Sequence, residues 1–205
     1  RVRSSAASDV YKRQQMEYLD IRTKDGRRTG QVKAREKVHE DGDIHGTSHV
    51  WIARRNEEGQ CEVLLQKRSA HKDAYPGCYD ISSAGHLPAG QEYLPSAIRE
   101  LAEELGIEAS EEDLLFLGIH EGYSEEIFYG KPFRNHEISH VYLYEKPVDV
   151  TKLRLQESEV ESVKWMSLEK CLEKVKSRSP QYCLFEEELN MIKDYYGKKI
   201  FKENS

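Results

Sequence analysis

The sequence lacks the features that mark membrane-spanning and nucleic-acid-binding proteins. Its apolar runs are short, as in Val63-Leu64-Leu65, whereas a membrane-spanning helix needs about 20 apolar residues in a row. Lys and Arg total 31 against 37 Asp and Glu, which gives a net charge of −6. An acidic chain of this kind does not present a wholly basic surface to a nucleic acid. We therefore expect neither a membrane span nor a nucleic-acid partner.

Cysteine is scarce and lacks the spacing of a metal site. The chain has four cysteines, Cys61, Cys78, Cys171 and Cys183, and none of them forms a CxxC pair. Structural zinc sites usually carry such closely spaced pairs, so we do not expect one here. No stretch has the pattern of a signal peptide, which favours a cytoplasmic protein with free thiols.

The remaining composition is that of one globular domain. The 205 residues are 38% hydrophobic and 33% charged, a balance typical of a folded chain rather than a disordered one. Residues 1–15 show no apolar periodicity and precede Met16, so we interpret them as a non-native N-terminal scar. We assign residues 16–205 to a single domain.

Apolar periodicity predicts a mixture of strands and helices. Strands are predicted at 17–23, 49–54, 61–66, 79–84, 114–120, 138–144 and 160–166. Helices are predicted at 93–105, 168–177 and 181–196, with a glycine-bounded loop at 85–90. Gly106 marks the end of the first helix. The pattern indicates an α+β fold with a C-terminal helical extension over about residues 168–200.

The predicted helix at 93–105 carries an unusual cluster of carboxylates. At 100° per residue, Glu100, Glu103 and Glu104 share about 100° of the helix surface. Arg99 precedes Glu103 by one helical turn and can form an ion pair with it. Three clustered carboxylates suit a hard cation such as Mg²⁺, which is commonly shared with substrate phosphates. A solvated acidic face is the alternative interpretation.

The segment before this helix strengthens the case for phosphate chemistry. Gly85 and Gly90 bracket a turn whose backbone N–H groups can approach phosphate oxygens near the helix start. Together with the helix, this segment resembles the Nudix box, G-x5-E-x7-R-E-U-x-E-E-x-G-U, where U is a bulky aliphatic residue. The matching residues are Gly85, Arg99, Glu100, Leu101, Glu103, Glu104, Gly106 and Ile107. One position departs, because Gln91 stands where the family has its first glutamate.

The Nudix resemblance implies both a fold and a chemistry. It implies an α/β/α sandwich around a mixed sheet, with Glu100, Glu103 and Glu104 holding Mg²⁺ or Mn²⁺ on a diphosphate. One of these glutamates would help to activate water, and Arg99 would pair with a glutamate to order the loop. Gln91 carries no charge, which weakens any ligand or bracing role at that position, although the adjacent Glu92 could substitute for it.

Outside the box, the chain is similar to the Nudix branch that contains type I isopentenyl-diphosphate isomerase. The similar segments are 45–52, 64–69 and 75–86. Ala84 stands where that isomerase has its catalytic cysteine, and Asn135 replaces the first residue of its Glu-x-Glu pair. A methyl group cannot transfer a proton, so hydrolysis is favoured over isomerisation. The resemblance also implies a second, nitrogen-rich metal site at His45, His86 and Glu137.

These interpretations give one leading hypothesis and two alternatives. The leading hypothesis is a metal-dependent hydrolase of a small-molecule diphosphate, such as a nucleoside diphosphate linked to another group. The alternatives are isopentenyl-diphosphate isomerisation and a non-catalytic diphosphate-binding module. Glu137 is the first choice for a base outside the helix. The candidate substrate-binding residues are Lys67, Arg68, Gly85 and His86. The last helix could cap the domain or pair two copies as a homodimer.

Overall fold

The computed structural model describes residues 17–72 and 74–203, in which a mixed sheet lies between helices. The predicted scar at 1–15 lies outside the described residues. The strands are β1 (Tyr18–Arg22), β2 (Arg28–Ala34), β3 (Ile44–Arg55), β4 (Cys61–Arg68), β5 (Tyr79–Asp80), β6 (Ser83–His86), β7 (Leu115–Phe128), β8 (Lys131–Tyr144) and β9 (Val160–Ser167). The α-helices are α1 (Arg35–Asp41), α2 (Tyr93–Leu105), α3 (Leu168–Lys176) and α4 (Glu186–Glu203).

Strand β3 is the centre of the main sheet. The strand order is β5-β4-β3-β8-β7, with β6 also paired to β3 and β9 to β4. β3 and β8 run parallel, whereas the other pairings of this sheet are antiparallel. β1 and β2 form a separate two-stranded sheet. The predicted mixed sheet is confirmed.

The alternation of side chains along β3 separates two hydrophobic layers. Val50 and Ile52 pack with the apolar face of α2, whereas Trp51 and Ala53 pack with residues of α3 and α4. Successive strand residues point to opposite faces, so each face of the sheet has its own helical cover. This is the α/β/α sandwich that the Nudix resemblance implied.

Helix α2 was predicted at its observed bounds. Its end is fixed by Gly106, which adopts a φ of 69° and donates its N–H to the carbonyls of Ala102 and Leu101. A glycine in the left-handed region ends a helix at little steric cost. The hairpin of β3 and β4, the strand near 17–23 and the strand near 160–166 are likewise confirmed.

The strand predicted at 79–84 is two short strands, and the loop predicted at 85–90 begins later than expected. The Asp80 carboxylate accepts the backbone N–H of Ile81, which interrupts the strand. The Ser82 hydroxyl then lies between β3 and β4, since it accepts the N–H of Ile52 and donates to the carbonyl of Leu64. β6 therefore continues through residues 85 and 86 and pairs with β3 rather than with β4.

The strands predicted at 114–120 and 138–144 are longer than expected, because residues 121–137 belong to a long hairpin of β7 and β8. The two strands pair continuously from Gly118 to Phe128 across the turn at Tyr129 and Gly130. Both turn residues have positive φ, 52° and 77°, as a tight two-residue hairpin requires. Pairing with β8 overrides the weak strand propensity of the Glu, Gly and Ser residues.

The last helix begins at Glu186, not at residue 181. Residues 181–183 instead pair with β5, because Gln181 accepts the N–H of Tyr79 and Cys183 donates its N–H to the carbonyl of Tyr79. The periodicity of the sequence also missed β2 and α1. Within residues 17–72 and 74–203, none of the helices combines the length and apolar character needed to cross a membrane.

Candidate active site

A cavity of about 450 Å³ opens where α2, β6 and β8 meet. It brings together most of the residues that the sequence proposed for chemistry. Those that line it are Arg68, Gly85, His86, Glu100, Glu103, Glu104 and Glu137. The cavity is therefore the candidate active site.

The contact between Gly85 and Glu100 defines how close β6 and α2 lie. A Cβ atom at position 85 would overlap the carboxyl group of Glu100, so a larger residue there would displace this carboxyl group from its present position. Arg99 also contacts that carboxyl group, because its Nη2 lies 2.8 Å from Glu100 Oε1. Burial raises the pKa of Glu100 to about 7, and the nearby arginine only partly offsets this effect.

Glu104 is the most deeply buried carboxylate of α2. It is only 4% exposed, and its Oε2 accepts the backbone N–H of Ala84 at 3.2 Å. Burial, followed by repulsion from Glu100, raises the pKa of Glu104 to about 8. The backbone of β6 thus positions this side chain at the cavity.

Glu103 lies at the rim of the cavity and pairs with Arg99, as the sequence predicted. Its side chain is 51% exposed, and Arg99 Nη1 lies 3.1 Å from Glu103 Oε2. Arg99 therefore contacts both Glu100 and Glu103. The three carboxylates of α2 line the same cavity but do not converge on a single position within it. Glu103 would have to release Arg99 in order to bind a cation together with Glu100 and Glu104.

The wall of the cavity is strongly acidic. Among the described residues, it carries seven carboxylates, three Arg or Lys side chains and one histidine of raised pKa. The carboxylates belong to Glu17, Asp80, Glu100, Glu103, Glu104, Glu137 and Glu159, and the basic side chains to Arg35, Arg68, Lys72 and His49. An anionic ligand would be repelled by such a wall unless a positive ion entered with it.

A cluster of three histidines adjoins the cavity. Among the described residues, His39, His45 and His86 are the set whose ligand atoms all lie within 4.8 Å of one another. His86 Nε2 lies 3.3 Å from His39 Nε2. The sequence predicted His45 and His86 for a second metal site but not His39, which lies on the unpredicted helix α1.

The histidine cluster presents neutral rings with one free nitrogen aimed inward. Burial lowers the pKa of all three rings, that of His39 to about 3. His45 Nδ1 lies 3.0 Å from the carbonyl of Asp43, which fixes the orientation of the ring. His45 Nε2 is buried and has no hydrogen-bond partner among residues 17–72 and 74–203. The predicted third member, Glu137, lies at the edge of the cluster, 3.9 Å from His45 Nε2.

A buried ion pair that the sequence did not predict ties α4 to β3 next to the cavity. Glu188 is fully buried and contacts His49 Nδ1 and Trp51 Nε1, each at 2.7 Å. Burial disfavours the protonated ring, but the Glu188 carboxylate outweighs it and raises the pKa of His49 to about 9. The sequence does contain a signal for this pair. Glu188 lies one helical turn before Ile192, so it falls on the apolar face of the helix, where a carboxylate needs a buried partner.

Other predicted residues lie in different surroundings. Lys67 pairs with Glu161 on the surface at 2.6 Å, whereas the neighbouring Arg68 lines the cavity and pairs with Asp80. Glu92, proposed as a substitute for the missing first glutamate, pairs with Arg28 at 2.8 Å and is 68% exposed.

The chain is similar to proteins of one family along most of its length. The profile of the NUDIX domain matches residues 46–185. Nudix hydrolase 3 of Arabidopsis thaliana is 38% identical over 186 residues, which cover 89% of this chain but only 22% of that protein. An uncharacterized Nudix hydrolase of Clostridium acetobutylicum is 40% identical over 145 residues, which cover 70% of this chain and 66% of that protein.

Solved structures agree with this fold. The crystal structure of DR0079 from Deinococcus radiodurans superposes with a TM-score of 0.59 at 14% identity, covering 86% of this chain and 98% of that one. A NUDIX hydrolase from Alicyclobacillus acidocaldarius superposes with a TM-score of 0.51 at 15% identity, covering 74% and 90%. At these identities the likeness concerns the fold alone.

Replacing Glu188 with Gln should reveal the buried ion pair as a pH-dependent loss of stability. His49 has a raised pKa, so its contribution is complete below the unfolded value of 6.5 and is lost as the pH rises through about 9. Glu188 has a lowered pKa, so its contribution is lost as the pH falls through the acid range. Near pH 6, E188Q should reduce the free energy of unfolding by about 3 kcal/mol in urea titrations.

The difference between wild type and E188Q should shrink as the pH approaches 9. The matched control is Glu187→Gln, an exposed neighbour on the same helix, which should change stability by less than about 0.5 kcal/mol. A difference of the same size at all pH values would contradict the ion pair. The groups that face His49 are Glu188, Glu137 and Asp80.

Proposed function

The chain belongs to the Nudix hydrolase family, and on that basis we propose that it cleaves a diphosphate linkage with the help of a divalent cation. The substrate class that we propose is a nucleoside diphosphate joined to another group, or a related organic diphosphate. The proposal rests mainly on the observation that Glu100, Glu103 and Glu104 all line one acidic cavity.

The charge of the cavity supports a requirement for the cation. A diphosphate cannot approach this wall of carboxylates unless its charge is offset. The donors of α2 are carboxylate oxygens, which are the ligands that Mg²⁺ and Mn²⁺ prefer. Glu100 and Glu104 are largely buried carboxylates, and a positive ion would compensate them. A bound cation would polarise the phosphoryl oxygens of the substrate.

The residues around the carboxylates have separate roles in this proposal. Arg99 is a positioning residue, because it contacts Glu100 and Glu103 rather than lining the cavity. Arg68 and Lys72 line the cavity and can contact phosphate oxygens. Gly85 permits the close approach of β6, and His86 continues the same strand toward the histidine cluster.

Glu137 is the proposed proton acceptor for the attacking water. It projects from β8 into the cavity and is only 8% exposed. Its two oxygens lie 3.9 Å from His45 Nε2 and from His49 Nε2, respectively, so both rings restrict where the carboxylate can move. A carboxylate at a wall of the cavity, outside α2, can accept a proton without giving up a place among the cation ligands.

Isomerisation finds no support in this site. The residue at the position of the isomerase cysteine is Ala84, whose methyl group carries no transferable proton. Its backbone N–H is used to bind Glu104. The position of the isomerase cysteine thus carries no thiol, whereas the three carboxylates of α2 that the hydrolase proposal requires are present.

We further propose that the histidine cluster is a second cation site, with His39 in place of the predicted Glu137. Neutral imidazoles are good ligands for transition-metal ions such as Zn²⁺, Fe²⁺ and Ni²⁺. The bond between His45 Nδ1 and the carbonyl of Asp43 leaves Nε2 available, which is a common arrangement around metal-binding histidines. Glu137 would then lie between the two sites.

Removing the carboxylates of α2 should abolish turnover. Glu103→Gln and Glu104→Gln should each lower kcat/KM at least about 100-fold with Mg²⁺ or Mn²⁺, because the variants lose charge toward the cation. The assay is phosphate or nucleotide release from sugar nucleotides, dinucleotide cofactors, CoA derivatives, nucleoside triphosphates, thiamine diphosphate and prenyl diphosphates. Glu108→Gln, an exposed glutamate beyond the same helix, is the matched control and should keep full activity.

Three outcomes would contradict the proposed hydrolysis. One is unchanged metal-dependent turnover in both variants. Another is tight binding of a diphosphate by the wild type with no turnover of any substrate, which would indicate a binding module. The third is formation of dimethylallyl diphosphate from isopentenyl diphosphate, which would indicate an isomerase.

Glu137→Gln should separate proton transfer from cation binding. The variant should lower kcat by about 100-fold or more, because general-base catalysis is lost, and should leave the Mn²⁺ affinity at α2 unchanged. Calorimetric Mn²⁺ titration and the pH profile of kcat are the measurements. If the Mn²⁺ affinity and kcat fall in parallel, Glu137 is a ligand rather than the base.

His39→Asn should remove the second cation site. Titration of the protein with Co²⁺, followed by visible absorption, should show that the nitrogen-bound ion binds at least about 10-fold more weakly. The exposed His71→Asn is the matched control, and Glu104→Gln should leave this absorption unchanged. Co²⁺ absorption that is identical in wild type and H39N would contradict the site.

A further inference from the structure

Two cysteines that the proposed reaction does not use lie side by side at the edge of the cavity. Cys78 precedes β5, and Cys183 lies 105 positions later, in the segment before α4. The backbones of the two segments are hydrogen-bonded, since Tyr79 N–H donates to Gln181 at 2.7 Å and Cys183 N–H donates to Tyr79 at 2.9 Å. The two cysteines are therefore held together by the fold.

Each thiol reaches across to the opposite segment. Cys78 Sγ donates to the carbonyl of Pro180, and Cys183 Sγ donates to the carbonyl of Tyr79, both at 3.4 Å. Each sulfur therefore lies against the segment that carries the other cysteine, and both cysteines are free thiols.

The surroundings of the two thiols differ in a way that suits reversible oxidation. Cys78 is half-buried, and its pKa is lowered to about 7 by the Cys183 thiol and by the Arg68 guanidinium. Cys183 is more deeply buried, and its contact with Cys78 and its burial raise its pKa. The other cysteines, Cys61 and Cys171, are buried, which raises the pKa of each to about 12.

We propose that Cys78 and Cys183 are a reversible dithiol–disulfide site that, when oxidised, fastens the segment before α4 to β5. Cys78 is the residue that reacts first, and Cys183 is the residue that completes the bond. Cys183 and Phe185 line the active-site cavity, so the bond would restrain one of its walls. The same segment leads into the helix that carries Glu188.

The oxidant in this proposal is a hydroperoxide. The Cys78 thiolate attacks the peroxide oxygen, the O–O bond breaks, and a sulfenic acid forms as the peroxide is reduced to water or an alcohol. The Cys183 sulfur then attacks the Cys78 sulfur, forming the S–S bond and releasing the sulfenic oxygen as water. A dithiol reductant reverses the bond and is itself oxidised to a disulfide.

Peptide mapping of the whole chain tests the proposal directly. The reduced protein is treated with about one equivalent of hydrogen peroxide, alkylated under denaturing conditions and digested. We expect a linked peptide pair containing Cys78 and Cys183, about 2 Da lighter than the two thiol peptides, with Cys61 and Cys171 alkylated. Dithiothreitol should restore all four alkylation sites. Oxidation of Cys78 to the sulfinic acid without this linked pair, or disulfides between chains, would overturn the proposal.

Two serine variants test the order of the steps. Cys183→Ser should accumulate a sulfenic acid at Cys78 that dimedone traps, whereas Cys78→Ser should leave Cys183 reduced. Oxidation should raise the Tm of the wild type by about 5 °C or more, because the bond closes a loop of roughly 100 residues. Cys61→Ser, the control, should keep this rise, and both pair variants should lose it. An equal rise in Cys183→Ser would contradict the proposed bond.

Discussion

Strand β6 passes directly against helix α2, and this close approach positions each part of the candidate site. Gly85 leaves room for the Glu100 carboxyl group, which a Cβ atom at that position would displace. The residue before it, Ala84, donates its backbone N–H to Glu104. The residue after it, His86, pairs with β3 and reaches the histidine cluster. Three consecutive residues thus connect the carboxylates of α2 to a second group of potential ligands.

Electrostatics explain why this arrangement suits a cation and an anionic substrate together. The buried carboxylates of α2 are poorly compensated, which is visible in the raised pKa of Glu100 and Glu104. Elsewhere, a buried charge has a partner within the fold, as Glu188 has in His49. A buried charge without a full partner is costly to keep, so such groups are typical of functional sites. The Glu188–His49 pair is compensated within the fold, whereas Glu100 and Glu104 are not. This difference distinguishes a structural ion pair from a candidate reactive site.

The sequence predicted the local parts of the site well and the long-range parts poorly. Helix α2 and its carboxylates follow from periodicity and from a motif contained within 23 residues, Gly85 to Ile107. His39 was missed because α1 has only seven residues and too little periodicity to be recognised. Lys67 was misplaced because neighbouring strand residues point to opposite faces, so Arg68 alone enters the cavity. Glu188 reaches His49 only after α4 packs against β3, a contact between residues far apart in the chain.

The most direct test of the central claim is where a divalent cation binds. Crystals soaked with Mn²⁺ and a methylene diphosphonate, which cannot be hydrolysed, would reveal the ion in an anomalous difference map. We predict a peak about 2–2.5 Å from carboxylate oxygens of at least two of Glu100, Glu103 and Glu104, with diphosphonate oxygens also bound to the ion. An ion found only at the histidine cluster, with the carboxylates of α2 unchanged, would contradict the account.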